Sequence, residues 1–157
     1  YDKVLLFNVF NKRGKQIIAQ AQHMSVSFKS TYFLKNNSLY VNGENYFGAL
    51  GIGNPLKNNY FAENSIQFIS KGVSSSHCFV YTNDNKLYGF GKNGSKQLGI
   101  IHDKEIASSP QWINYEFKSA LKQIECGYKH SIFLTQNGNV YGCGPDISDG
   151  NNIIRII

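Results

Sequence analysis

Apolar residues come along this chain in short runs, and Gly, Asn, Ser and Asp fill the gaps between them. No segment sustains a helical period. Short runs bounded by turn-forming residues predict strands instead. The pattern places strands at 24–28, 31–35, 38–42, 66–70, 78–82, 86–90, 111–114, 122–126, 131–135 and 139–143. Three pairs of these runs share one motif. Lys29-Ser-Thr-Tyr-Phe-Leu-Lys-Asn-Asn-Ser-Leu-Tyr40, His77-Cys-Phe-Val-Tyr-Thr-Asn-Asp-Asn-Lys-Leu-Tyr88 and His130-Ser-Ile-Phe-Leu-Thr-Gln-Asn-Gly-Asn-Val-Tyr141 align without a gap, at offsets of 48 and 53 residues. The turn pairs Asn36-Asn37, Asp84-Asn85 and Asn137-Gly138 can all take positive φ, which predicts three hairpins with two-residue loops. A repeat near 50 residues means an array of supersecondary units.

The motif continues past each tyrosine. Gly43, Gly91 and Gly144 stand three positions beyond Tyr40, Tyr88 and Tyr141. The first copy goes on as Gly43-Glu-Asn-Tyr-Phe-Gly-Ala-Leu-Gly51, the second as Gly91-Lys-Asn-Gly-Ser-Lys-Gln-Leu-Gly99. Pro110-Gln-Trp-Ile113 and Ile124-Glu-Cys-Gly127 then lead into His130. This resembles the regulator-of-chromosome-condensation repeat, in the order G-x-N-x-x-G-Q-L-G, P-x-x-V and G-x-x-H-S-x-x-L-T-x-x-G-x-V-Y. The resemblance implies an all-β fold, an incomplete β-propeller of about three blades from a family that normally has seven. It divides the chain into an N-terminal hairpin or docking segment, 1–23, and three repeats at about 24–72, 73–125 and, in part, 126–157. It also makes His77, His130, Gly43, Gly91, Gly144, Gly51, Gly99, Tyr40, Tyr88 and Tyr141 architectural positions. The histidines are expected to hydrogen-bond the backbone of a neighbouring blade. Lys29 replaces the histidine in the first copy, and Lys96 stands where the first copy has Gly48. The third loop lacks the asparagine and the Q-L-G ending.

Three blades leave two open flanks, so the expected partner is further blades, in the same parent chain, another subunit or a second copy. Net charge is +6, from 14 lysines and two arginines against ten carboxylates. That balance favours anionic partners, although lysines also simply solvate loops. Three cysteines without C-x-x-C spacing suit a reducing compartment, giving an expected intracellular location, cytoplasmic or nuclear. No apolar stretch approaches the roughly 20 residues of a membrane-spanning helix, so no membrane contact is expected.

No catalytic constellation emerges, and neither a metal nor a cofactor is expected. Gly89-Phe-Gly-Lys-Asn-Gly94 matches G-x-G-x-x-G, but Gly99 follows within five residues and no helix can present its N–H groups to a phosphate. His77 and Cys78 adjoin on a strand and so project to opposite faces. Candidate partner-binding residues are Tyr46 and Phe47 in the first loop, the basic turn Lys12, Arg13 and Lys15, the loop lysines Lys92 and Lys96, and the cluster His102, Asp103 and Lys104 within a long charged loop at 100–109. Tyr46 and Phe47 are anchors if exposed and inter-blade packing if turned inward. The favoured role is a non-catalytic protein-interaction module, or a structural part of a larger assembly, binding through propeller loops. The resemblance also allows guanine-nucleotide exchange on a Ran-like small GTPase, and the lysines allow a nucleic-acid or ribonucleoprotein contact.

Overall fold

In a computed structural model, residues 6–10, 16–20, 22–35, 38–53, 66–70, 72, 74–100, 104–148 and 152–157 are described. Strand β1 (Leu6–Phe10) pairs with β2 (Gln16–Gln20) as a hairpin outside the repeats. Three antiparallel sheets follow, each a meander in chain order. The first contains β3 (His23–Val26), β4 (Ser30–Lys35) and β5 (Ser38–Gly43). The second contains β6 (Ile66–Ile69), β7 (His77–Thr82), β8 (Leu87–Lys92) and β9 (Ile106–Ile113). The third contains β10 (Leu121–Cys126), β11 (Ser131–Thr135), β12 (Val140–Cys143) and β13 (Ile154–Arg155). Apart from a short 3-10 turn at Tyr46–Gly48, the described residues are strands and loops. These sheets are propeller blades.

One expectation about the hairpins fails. In the second copy Thr82 N–H donates to Lys86 O at 3.0 Å, and Asn85 N–H returns to Thr82 O at 3.0 Å. Three residues, not two, form that loop, and only the last, Asn85, has positive φ (61°). The third copy repeats this, with Thr135 N–H to Asn139 O, Gly138 N–H to Thr135 O, and Gly138 at φ 86°. This is a type I turn closed by a residue in the left-handed region, which matches strand twist as well as the two-residue form does. The first copy differs: Lys35 pairs with Ser38, leaving two residues between the strands. Those two, Asn36 and Asn37, lie outside the described residues.

The shorter loop displaces the first copy by one residue. Gly91 pairs with His77, but Gly43 pairs with Ser30. Ser30, not Lys29, therefore occupies the histidine slot, and the ungapped alignment is wrong upstream of the turn. A one-residue shift exchanges the two faces of a strand. Tyr32 and Leu34, rather than Thr31 and Phe33, consequently face the second blade. They pack there with Ile66, Ile69, Cys78, Val80 and Phe90. The second blade presents Phe79, Tyr81 and Leu87 to the third, against Leu121, Ile124, Phe133 and Tyr141. Phe79 meets Phe133 edge-on, with ring centroids 5.2 Å apart. Burying one large apolar side chain this way contributes about 1.5–3 kcal/mol.

The segment read as a loop through 109 becomes strand at Ile106, because β9 runs eight residues rather than four. Pro110 is tolerated there since β9 is the outer strand of its sheet. His102 and Asp103 lie outside the described residues, as do Lys12, Arg13 and Lys15.

Candidate interaction rim

Two groups of side chains carry potential chemistry, one buried between blades and one displayed at a rim. The buried group joins His77 to Ser131. His77 Nε2 lies 2.7 Å from Ser131 Oγ, and the serine hydroxyl donates to Gln97 O at 2.6 Å. All three residues are buried. The expected backbone partner of His77 is thus replaced by a side chain of the next blade. With the single hydroxyl proton committed to Gln97 O, the imidazole must be the donor at Nε2. Its bare nitrogen is Nδ1, which has no hydrogen-bond partner. Burial, with a lesser contribution from nearby His130, pushes the His77 pKa down to about 3. An imidazole that donates to a serine cannot take that serine's proton, so the pair is a latch and not a nucleophile with its base.

The three positions of this slot diverge. Ser30 donates its hydroxyl to Glu44 O at 2.8 Å, His77 is sealed, and His130 is exposed. Gly43, Gly91 and Gly144 share one conformation (φ 121°, 104° and 125°). A Cβ on Gly91 would strike Ser76 O, and on Gly144 it would lie 2.6 Å from Lys129 O. Gly51 and Gly99 are both at φ 64°. Asn45 Oδ1 accepts from Leu50 N–H (3.0 Å) as Asn93 Oδ1 does from Leu98 N–H (3.1 Å), so an asparagine at the same place closes each loop. The tyrosines are not equivalent: Tyr40 is exposed and stacks on Phe33, Tyr88 is half-buried, and Tyr141 is buried against Tyr115 and Phe117.

The displayed group stands at the end of the blades opposite the hairpin turns. Phe28 and Lys29 precede β4, Glu44–Phe47 follow β5, Lys92 ends β8, and Tyr128 and Lys129 precede β11. Phe28 N–H donates to Ser75 O (3.1 Å) and Lys92 N–H to Ser76 O (2.9 Å), which fixes these loops to the scaffold. Relative exposures of 68% for Phe28, 60% for Tyr46, 43% for Phe47 and 61% for Tyr128 decide between the two readings of the first loop. Its rings point outward. Lys29 Nζ lies 4.9 Å from the Tyr46 ring centre and 5.8 Å from that of Phe28. Lys92 Nζ lies 4.6 Å from Phe47 and 5.8 Å from Tyr128, bridging loops of the first and third blades. Cation–π contacts of this kind hold the ammonium groups against the rings. Lys29 also pairs with Glu44 at 2.9 Å, and that hydrogen-bonded carboxylate raises its pKa.

Phe47 has a left-handed backbone (φ 55°, ψ 25°), as has Lys96 (φ 59°). Such conformations cost a non-glycine residue about 1–2 kcal/mol. Lys96 is half-buried in its loop, and Lys104 is exposed where the chain enters β9, its carbonyl accepting from Asn93 Nδ2 at 3.3 Å. Phe28, Lys29, Tyr128 and Lys129 escaped the sequence reading as surface residues. Their signal is an aromatic–lysine pair immediately before the slot residue, Phe28-Lys29 before Ser30 and Tyr128-Lys129 before His130. The ungapped alignment sets these pairs one position out of phase and hides the match. Among the described residues no cluster of His, Cys, Asp or Glu could hold a metal ion.

The sequence pattern of the Regulator of chromosome condensation (RCC1) repeat matches residues 84–134 and again 121–151. Residues 84–151 are RCC1 repeats. Among curated proteins it is 32% identical over 87 residues to guanine nucleotide exchange factor SRM1 of Saccharomyces cerevisiae, covering 54% of this chain and 18% of that protein. It is 30% identical over 115 residues to ultraviolet-B receptor UVR8 of Arabidopsis thaliana, covering 69% and 26%. The secretion-regulating guanine nucleotide exchange factor of Bos taurus is 29% identical over 115 residues, covering 69% and 24%. The chain thus matches about a quarter or less of the length of these relatives. In fold it is similar to human WBSCR16, with TM-score 0.74, 17% identity, and coverage of 98% of this chain and 43% of that one. Yeast RCC1, in its complex with Kap60, gives 0.68 at 23% identity over 87% and 31%. The three sheets are therefore blades of a β-propeller, and the rim is a surface on which successive blades place their loops side by side.

Proposed function

We propose that this chain is a non-catalytic protein-interaction module, and that its working surface is the rim carrying Phe28, Tyr46, Phe47 and Tyr128 with Lys29, Lys92 and Lys129. The observation that carries this is the bridging of Phe47 and Tyr128 by Lys92 Nζ at 4.6 and 5.8 Å, which makes loops of separate blades one continuous surface. Exposed aromatic rings on a rigid support are the kind of residue that dominates binding energy at interfaces, and the lysines beside them supply complementary charge. Among the described residues the polar group between the second and third blades, His77, Ser131 and Gln97, is buried. Placing a photo-cross-linking benzoylphenylalanine at Phe47, and separately at the exposed Trp112 of β9, tests the reading in the native source. Cross-linked protein is expected from position 47 and not from 112; equal yields, or yield from 112 alone, count against it.

A narrower reading is exchange of guanine nucleotide on a Ran-like small GTPase. It is supported by two relatives, of Saccharomyces cerevisiae and Bos taurus, that are named guanine nucleotide exchange factors. Accelerated release of labelled GDP from such a GTPase by the purified chain is the expected result, and an unchanged rate at high chain concentration removes this reading.

A further inference from the structure

We infer that the rim binds an acidic linear peptide segment that inserts one large apolar side chain between Phe28, Tyr46 and Phe47. This deepens the reading above and rests on it. A cavity of about 170 Å³ opens here, lined by those rings with Ala49, Ser30, Ser75 and Ser76 among others. It has room for a single leucine or phenylalanine side chain. Its walls are apolar rings and its floor small residues, the form that a buried anchor residue requires. Lys29 adjoins the cavity, and Lys92 and Lys129 extend the cationic surface past Tyr128. A partner's carboxylates therefore find ammonium groups on either side of its anchor.

The charge pattern favours a peptide over other anions. Glu44 sits on the rim and already occupies Lys29 at 2.9 Å, which shows the position a partner's carboxylate takes on exchanging with it. That same carboxylate opposes a continuous run of phosphates more than it opposes a peptide, whose carboxylates can be spaced around it. One face of each ring is also covered by a lysine ammonium, which halves the ring surface on which a nucleic-acid base could stack. A second copy of this chain would bring like charge against like charge.

The test is fluorescence anisotropy on the purified chain with a fluorescein-labelled peptide of glutamate and serine around one central leucine. The comparison probes are the same peptide with serine for leucine, and a labelled oligouridylate of matching charge. The leucine peptide is expected to bind about tenfold more tightly than the serine peptide. Phe47→Ala is expected to remove about the same factor, and Lys92→Glu roughly threefold or more with a flatter salt dependence. Circular dichroism melting of each variant, with Trp112→Ala as the surface control, separates binding loss from unfolding, and Lys92→Glu changes only a half-buried side chain at the end of a strand. Equal binding of the leucine and serine peptides overturns the proposal, because the cavity then contributes nothing. Tighter binding of oligouridylate than of the leucine peptide overturns it in favour of a nucleic acid. If the peptide fails while cross-links at position 47 persist, this inference falls and the interaction-module reading stands; if both fail, both fall.

Discussion

Removing the Ser131 hydroxyl should loosen the second blade from the third, and the size of the effect follows from the geometry. Ser131→Ala deletes the acceptor of His77 Nε2 (2.7 Å) and the donor to Gln97 O (2.6 Å). A buried polar group left without a partner costs about 1–3 kcal/mol. Gln97 O still accepts from the Cys143 thiol at 3.1 Å, so only His77 Nε2–H is left unpartnered and the loss is about 1–3 kcal/mol, a sizeable share of the 5–15 kcal/mol by which domains are typically stable. His77→Ala costs a comparable ~2–4 kcal/mol, mostly through the cavity it leaves. The two losses should not add. Once His77 is gone, Ser131→Ala forfeits only its bond to Gln97 O, so the double variant should be about 1–2 kcal/mol more stable than the sum predicts. The assay is urea denaturation of the four proteins at constant m, which gives each free energy by linear extrapolation. A coupling below about 0.5 kcal/mol would refute the reasoning, since uncoupled sites add within that margin.

Three further outcomes are expected. His77 titrates near 6.5 when unfolded but about 3 when folded, so the unfolded chain binds the extra proton; stability should fall as pH drops from 6.5 towards 3, by roughly 1.4 kcal/mol per pH unit from this group, and His77→Gln should abolish that slope in denaturation at pH 7, 6 and 5. Lys96→Gly should stabilise by about 0.5–1 kcal/mol, because it releases a left-handed non-glycine residue, and an unchanged or lowered melting temperature would count against strain there. The thiols of Cys78, Cys126 and Cys143 are buried, and burial raises the pKa of all three, to about 12 for Cys126 and Cys143; native protein should therefore resist alkylation over hours while urea exposes three reactive thiols, and rapid labelling of any one without denaturant would contradict the sealed blade interfaces.

The blade architecture was legible because it is written in local chemistry. Strand runs, turn residues and the positive-φ glycines at 43, 91 and 144 each act over a few residues, so a single sequence displays them. The strand limits also follow, apart from β9, whose first residues, Ile106-Ala-Ser-Ser109, run straight into Pro110 and show no alternation of apolar and polar positions, and β13, which is only two residues long. The partner of His77 was not legible. It lies 54 residues away in the next sheet, and nothing local distinguishes a hydrogen bond to a backbone carbonyl from one to Ser131.

Loop length explains the remaining errors, and it links the fold to the rim. Thr82 and Thr135 enter their three-residue loops with hydroxyls 2.6 and 2.7 Å from Asp84 Oδ1 and Asn137 Oδ1. The first copy has Lys35 at the equivalent place, and its shorter loop removes the residue that this bonding requires. Everything upstream of that turn then moves by one place. The move sends Tyr32 and Leu34 into the second blade and brings Ser30, a small residue, to the slot where His77 and His130 stand. Lys29 is thereby excluded from the slot and left at the surface, where it meets Glu44 and the rings of Phe28 and Tyr46. A histidine in place of Ser30 would fill the space beside Glu44, Ala49, Ser75 and Ser76 that now forms the cavity. Shortening one hairpin by one residue thus both preserved the packing between blades and opened the surface on which the proposed partner docks.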